Sequence, residues 1–507
     1  MSVLFDEIKK TTPPKVSQVT GRPVSKTLAG LDHLLVVLPA RVPAPLWRML
    51  PQGARVQALM RRGTKGAVPA VRTRVNNKRQ TAMYVASAKA SAETFDSLSF
   101  ARKMVAAATT EKAGTLGIWV LGFDADETER LVSHLVAAAL AAAYVMPTFK
   151  SKTPPATIRS VRILGLEERL DTSRMSAEAE GNNIVRFLTS LPANKLDAGS
   201  YTGLLKEMAA AEGWQYKKYG VNELKKLGAG AFLAVAQGNA DDSAAIVRLR
   251  YRPGSKSAAP DLGLVGKGII FDTGGTNLKP FLSMLDMHID MGGSAVVAGV
   301  LTTLTRLQSN LPIDAWLAIT ENRTGPTAYK SQDVVTAMNG KTIQTIHTDA
   351  EGRMALADTL VMACQDKPKA IVDYATLTGA CLNAVTARYS GVFTNRPDLH
   401  PVLKKCGRES GERVWPFPVD KEFLEELKSD TADIAQCSPS SGGDHILAST
   451  FLNEFVDKDV PWVHVDLSAC SRKGGLAHIP TEITGFGVRF STALILDRNL
   501  TGTVADK

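Results

Sequence analysis

LGLVGKGIIFDTGG, residues 262–275, is apolar for almost ten residues and then stops on an aspartate and two glycines. A strand with one wet face alternates apolar and polar side chains. A strand buried on both faces does not, and such runs belong to sheets covered by helices on either side. DAWLAIT (314–320) and AIVDYATL (370–377) read the same way, and the helical run GSAVVAGVLTTLTRL (293–307) lies between the first two. Asn339-Gly340, between VVTAM and KTIQTI, predicts a two-residue hairpin. The second half of the chain is therefore expected to build a mixed, largely buried central sheet flanked by helices.

Upstream, β-like runs (HLLVVLP 33–39, TAMYVAS 81–87, LGIWVLGF 116–123) alternate with helical stretches such as 126–146, which predicts an α/β domain over residues 1–150. PTFKSKTPPAT (147–157) has linker composition. Residues 151–180, including the short strand SVRILGL, are assigned to the connection and 181–507 to a larger α/β domain. A chain of 507 residues exceeds one ordinary core, and 44% hydrophobic with 22% charged residues is a soluble globular composition.

Composition also narrows the function. The longest apolar run, LVSHLVAAALAAAYVM (131–146), is too short to span a bilayer, and MSVLFDEIKK lacks a secretory pattern. Five scattered cysteines (364, 381, 406, 437, 470) without a CxxC pair suit reduced thiols in a cytoplasm. The net charge of +10 is uneven: residues 1–100 hold 16 Lys/Arg, among them Arg61, Arg62, Lys65, Arg72, Arg74, Lys78 and Arg79, against 5 Asp/Glu.

GLVGKG (263–268) invites a nucleotide reading that fails. A phosphate loop needs glycine five positions before Gly266, where Asp261 stands, and Ser or Thr after the lysine, where Gly268 stands. The dinucleotide pattern fails at Phe271, and neither HExxH nor GxSxG occurs. What remains is Lys267 inside a buried strand, followed by Asp272, Lys279 and Asp290. A buried lysine is costly unless paired, so a core ion pair of Lys267 with Asp272 is one reading. HTDAEGR (347–353) follows another strand; if extended, its period of two directs Asp349, Glu351 and Arg353 to one side. Four converging carboxylates would repel, and two divalent cations bring +4 against −4.

These residues carry a resemblance. GKGIIFDTGG-TNLKP, D-MGGSAVVAG and HTDAEGRMALADTL resemble, in order, the signature blocks of the leucyl aminopeptidase (cytosol aminopeptidase, M17) family, and further blocks (LPAN, LAVAQGN, YATLTGA, KSDTADI, GFGVRF) extend the likeness over roughly 180–495. The resemblance implies a cytoplasmic exopeptidase with two zinc or manganese ions, normally a homohexamer. By motif, Lys267, Asp272, Asp290, Asp349 and Glu351 would be metal ligands, with Asp272 and Glu351 bridging both ions. Lys279 and Arg353 would be catalytic, and Lys279 would also contact substrate. Met287, Thr376 and Gly379 would line an apolar pocket for the first side chain, favouring leucine.

The same resemblance implies a mechanism. Paired ions lower the pKa of a shared water and polarise the scissile carbonyl, and the handling of a free α-amine by the Lys267-side ion would make the enzyme an exopeptidase. Lys279 would stabilise the developing oxyanion. Bicarbonate held on the fork of Arg353 would serve as general base. Departures from the family pattern are His347, Met354 and HVDLSAC (464–470), none at a ligand position; His347 is expected to make a structural hydrogen bond, and His288 to be an ordinary polar residue. An alternative reading takes the basic first hundred residues as a nucleic-acid-binding part with the peptidase half as scaffold. The competing view is a solvated basic face on a domain that supports assembly or regulation. Strong Lys/Arg clusters with interleaved aromatics are absent from that part.

Overall fold

The computed structural model describes residues 2–64, 66–89, 91–110, 114–152, 158–254, 259–440 and 442–503. Lys65 and residues 153–157 of the expected linker lie outside them. The chain forms two compact units: Thr11–Asn183 with Lys473–Thr484, and Met1–Lys10 with Ile184–Arg472 and Gly485–Lys507.

The smaller unit holds strands β1 (Val16–Thr20), β2 (His33–Pro39), β3 (Val71–Arg74), β4 (Ala82–Ala88), β5 (Thr115–Val120) and β6 (Ser160–Leu166) in the order β1-β6-β5-β2-β4-β3. All neighbours are parallel except the β3/β4 pair. β2 shows why its sequence does not alternate. Leu34, Val36 and Leu38 enter one hydrophobic core, and Leu35 and Val37 enter a second on the opposite face.

Three segments depart from the sequence expectation. SVRILGL, assigned there to the connection, is β6, paired in parallel with both β1 and β5. Residues 473–484 return to this unit, where Arg102 Nη1 donates to the carbonyls of Gly474 (2.6 Å) and Ile479 (3.1 Å). The first ten residues belong to the larger unit instead: the helix Val3–Ile8 buries Phe5 and Ile8, and the Ser2 N–H donates to Glu207 at 2.7 Å. In the basic region Arg79 pairs with Asp32 at 2.7 Å and Arg74 donates to the Gln80 carbonyl at 3.0 Å, so both are tied into the local fold.

The larger unit contains β7 (Gln215–Gly220), β8 (Ala245–Tyr251), β9 (Leu262–Asp272), β10 (Ile313–Asn322), β11 (Val334–Thr336), β12 (Thr342–Gln344), β13 (Ala370–Ala375), β14 (Ser390–Thr394), β15 (Val414–Pro416), β16 (Ile434–Ala435) and β17 (Trp462–Asp466). Its main sheet runs β15-β14-β17-β13-β9-β10-β8-β7. β17, β13, β9 and β10 are parallel, so their carboxyl ends share one edge, the usual location of ligand sites in α/β sheets. The mixed, buried sheet is as the sequence predicts.

The glycines of GLVGKG serve packing. A methyl group on Gly266 would lie 2.7 Å from the Gly293 carbonyl oxygen, and one on Gly293 would lie 2.0 Å from that of Tyr374. The helix Gly292–Arg306 can therefore press its backbone directly onto β9 and β13. It buries Val296, Val297, Val300, Leu301 and Leu304, each contributing about 1.5–3 kcal/mol. Gly266→Val would force helix and strand apart and should cost more than the 1–3 kcal/mol usual for overpacking.

A small sheet, β11-β12-β16, carries the approach to HTDAEGR. The Asn339-Gly340 turn joins β11 to β12 as predicted but takes one more residue: Ala337 N–H bonds the Lys341 carbonyl at 2.9 Å, with Gly340 at φ +86°.

Candidate metal centre

β9 ends on Asp272, β10 on Asn322, and β13 immediately before Thr376, so the shared strand edge delivers polar groups to one place. Asp290 arrives on the 3-10 turn Met287–Met291, and Glu351 begins the helix Glu351–Cys364. Ligand oxygens of Asp272, Asp290 and Glu351 lie within 4.8 Å of one another, all three residues being buried.

Two lysines thread this group. Lys267 Nζ lies 2.9 Å from Asp290 Oδ1, 2.9 Å from Glu351 Oε1 and 2.8 Å from the Thr376 carbonyl. Lys279 Nζ lies 2.9 Å from Asp272 Oδ2 and 2.5 Å from Asp349 Oδ1. The pair Lys267–Asp272, considered from sequence alone, is not what forms: Lys267 turns to Asp290 and Glu351, and Asp272 takes Lys279. Burial disfavours both ammonium forms, yet the surrounding carboxylates outweigh it and raise both pKa values. Burial likewise pushes Asp272 and Asp290 upward against the pull of the lysines.

Each carboxylate is held by its neighbours. Asp272 Oδ1 accepts from Gly274 N–H and Asn322 Nδ2, both at 2.8 Å. Asp290 Oδ1 accepts from Thr376 Oγ1 at 2.7 Å, whereas Asp290 Oδ2 is buried without a hydrogen-bond partner. A fixed carboxylate with one orphaned buried oxygen, beside two more carboxylates, is a donor set suited to a hard or borderline divalent cation.

HTDAEGR is not extended. Asp349 lies in the turn before the helix, and Glu351 and Arg353 lie in the first helical turn, two residues and about 200° apart. They therefore point to different sides, and an acidic first residue suits a helix N-terminus. Glu351 faces the cluster. Arg353 is buried and turns to Asp444, its Nη2 donating to Oδ1 and Oδ2 at 2.8 Å each, while Nη1 donates to the Gln436 carbonyl at 3.2 Å. Gln436 also braces the turn, accepting from Ile346 and His347 N–H at 3.1 Å and donating to the Ala350 carbonyl at 3.0 Å. His347 Nδ1 accepts the Asp349 N–H at 3.3 Å, a structural bond that shapes the turn.

The remaining expected residues surround this edge. Met287 and Asp290 sit three apart on one 3-10 turn, where such positions eclipse. Gly379 is exposed at the start of the helix Gly379–Val385, with open space where a Cβ would stand. His288 is half-buried, and burial lowers its pKa. Asn322, the Thr376 carbonyl, Gln436 and Asp444 were not singled out from sequence. Asn322 could have been, because it ends a buried strand as Asp272 does; Asp444, 91 residues from Arg353, carried no local signal.

The profile of the cytosol aminopeptidase family, catalytic domain, matches residues 183–492. The chain belongs to the cytosol aminopeptidase family. It is 39% identical over 351 residues to a "Probable cytosol aminopeptidase" of Polaromonas sp. (strain JS666 / ATCC BAA-500), covering 68% of each chain. Among solved structures, leucyl aminopeptidase from Leishmania major in complex with actinonin matches with a TM-score of 0.81 and 25% identity, over 97% of each chain. The bottromycin maturation enzyme BotP in complex with Mn matches with a TM-score of 0.78 and 28% identity, over 93% of this chain and 99% of that one. This M17 member is a hydrolase of the aminopeptidase class with a two-unit α/β fold.

Proposed function

We propose that this aminopeptidase releases N-terminal residues, leucine and other apolar ones first, from peptides at a two-metal centre. The observation that carries the proposal is the convergence of Asp272, Asp290 and Glu351 within 4.8 Å around buried Lys267. Lys267, Asp272, Asp290, Asp349 and Glu351 would hold two manganese or zinc ions, and Lys267 would bind as the neutral amine that nearby dications favour. When bound, such ions supply Lewis acidity and a water of lowered pKa.

The chain's own groups do the rest. Lys279, kept cationic by Asp272, Glu351 and Asp349, donates to the carbonyl oxygen as negative charge develops there. Arg353 presents the anion that moves the proton, bicarbonate in the family's version. Met287, Thr376 and Gly379 shape an apolar space for the first side chain. The carboxylate-rich strand edge admits a free α-amine, so N-acetylleucyl peptides should be refused while the free peptides are cut; equal rates would contradict exopeptidase action. The smaller unit supports a homohexamer, and the enzyme works in the cytoplasm, readings that rest on the family.

Purified protein should hydrolyse leucyl-p-nitroanilide, lose activity to a chelator and recover it with manganese or zinc. Undiminished activity in exhaustively metal-free protein would overturn the two-metal reading.

Gly352 provides a finer test. A methyl there would lie 2.6 Å from Lys267 Cε and 2.7 Å from Nζ, and the lysine cannot yield without leaving Asp290 and Glu351. Gly352→Ala should lower kcat about 100-fold, as misplacement near 1 Å can. Its melting temperature should also fall, since overpacking by about 1–3 kcal/mol outweighs the gain of about 1 kcal/mol in helix propensity, while the protein stays folded. Wild-type kcat in that variant would show that Lys267 need not stay where it is.

A further inference from the structure

Arg353 is one of the largest fully buried side chains, and a buried guanidinium must keep an anion beside it. Among the described residues its carboxylate partner is Asp444, with both oxygens 2.8 Å from Nη2. Asp444 is the first residue of the helix Asp444–Asn453, and its side chain is 30% exposed, so the carboxylate meets the arginine on one side and solvent-accessible space on the other. Arg353 sits about 3 Å further along its helix than Glu351, and the helix that Asp444 begins packs against that helix and against Gly379–Val385. An acid at a helix start gains about 0.3–1 kcal/mol from the dipole alone, but that gain does not require a buried arginine opposite it.

We propose that Asp444 is the anion of Arg353: a carboxylate of the chain itself stands where a free bicarbonate would otherwise be needed, so turnover does not depend on added bicarbonate. This rests on the aminopeptidase reading above. In the reaction, water gives its oxygen to the scissile carbonyl carbon and a proton to the Asp444 carboxylate. The C–N bond then breaks, the proton passes to the departing amine nitrogen, and the carboxylate is regenerated with one water consumed.

The pairing makes an unusual prediction about small anions. Asp444→Ala leaves a buried guanidinium beside a carboxylate-sized space, which becomes a site for bicarbonate. Manganese-loaded wild type should work equally well in carbonate-free buffer and with bicarbonate, and bicarbonate should not raise its melting temperature. In carbonate-free buffer Asp444→Ala should retain its metal but lose about 100- to 10,000-fold in kcat, the usual worth of a general base. Bicarbonate should restore much of that loss and raise the variant's melting temperature, because an anion bound only by the folded state stabilises it. Asp444→Asn fills the space without a base, so it should be slow and gain neither rate nor stability from bicarbonate.

Wild type that stalls without carbonate would overturn the proposal, as would full activity in carbonate-free Asp444→Ala or failure of bicarbonate to rescue and stabilise it. If Asp444→Ala does not fold, a bicarbonate-stimulated or fully active Asp444→Asn overturns it equally. Failure of the underlying reading looks different: no manganese-loaded form, wild type included, would cleave leucyl-p-nitroanilide.

Discussion

Glu351→Ala is expected to abolish leucyl-p-nitroanilide hydrolysis and to lose bound metal. Glu351 faces both Asp272 and Asp290, with ligand oxygens within 4.8 Å, and its Oε1 is 2.9 Å from Lys267 Nζ. Removing it would take a donor from the proposed metal site and leave buried positive charge uncompensated, a change that costs about 3–5 kcal/mol when a buried pair is broken. Metal analysis of the purified variant, alongside its kinetics, checks this. A Glu351→Ala protein that keeps a full complement of metal would show that Glu351 is not a ligand.

Lys279→Met should fail in another way. The substitution keeps the aliphatic stem and removes the ammonium that lies 2.9 Å from Asp272 and 2.5 Å from Asp349. Two carboxylates then lose a cationic neighbour, so metal should bind at least as well as before. What disappears is a donor to the developing oxyanion, worth about 100- to 1,000-fold in kcat. A loss confined to KM would assign Lys279 to ground-state binding instead. Steady-state kinetics with metal content measured on the same preparation separates the two.

These outcomes depend on which features a local pattern can specify. The unbroken apolar run of β9 declared a strand covered on both faces, and an interrupted run at Lys267 and Asp272 declared a site at its end. Those signals are local and energetic: a buried charge within an apolar strand needs a partner. The direction of Arg353 was not legible, because it depends on whether DAEGR is strand or helix, and Glu351 begins a helix. Once helical, residues two apart diverge, and the arginine finds Asp444 in a segment 91 residues away. The division into units was hidden for a related reason. β6 was visible as a strand, but its place between β1 and β5 is a tertiary choice, as is the return of residues 473–484 to Arg102. The glycines of GLVGKG fail the phosphate-loop spacing, but their packing role depends on the close approach of the helix Gly292–Arg306 to β9, a tertiary feature that no local pattern carries.

The measurement closest to the central claim is the number of manganese ions bound per chain, by equilibrium dialysis and elemental analysis, in wild type and in a double variant, Asp272→Asn with Glu351→Gln. Two ions per wild-type chain, activity rising with occupancy, and less than one ion in a folded double variant are expected. Wild type that binds no manganese or zinc while cleaving leucyl-p-nitroanilide, or a double variant that still binds two ions, would contradict the account.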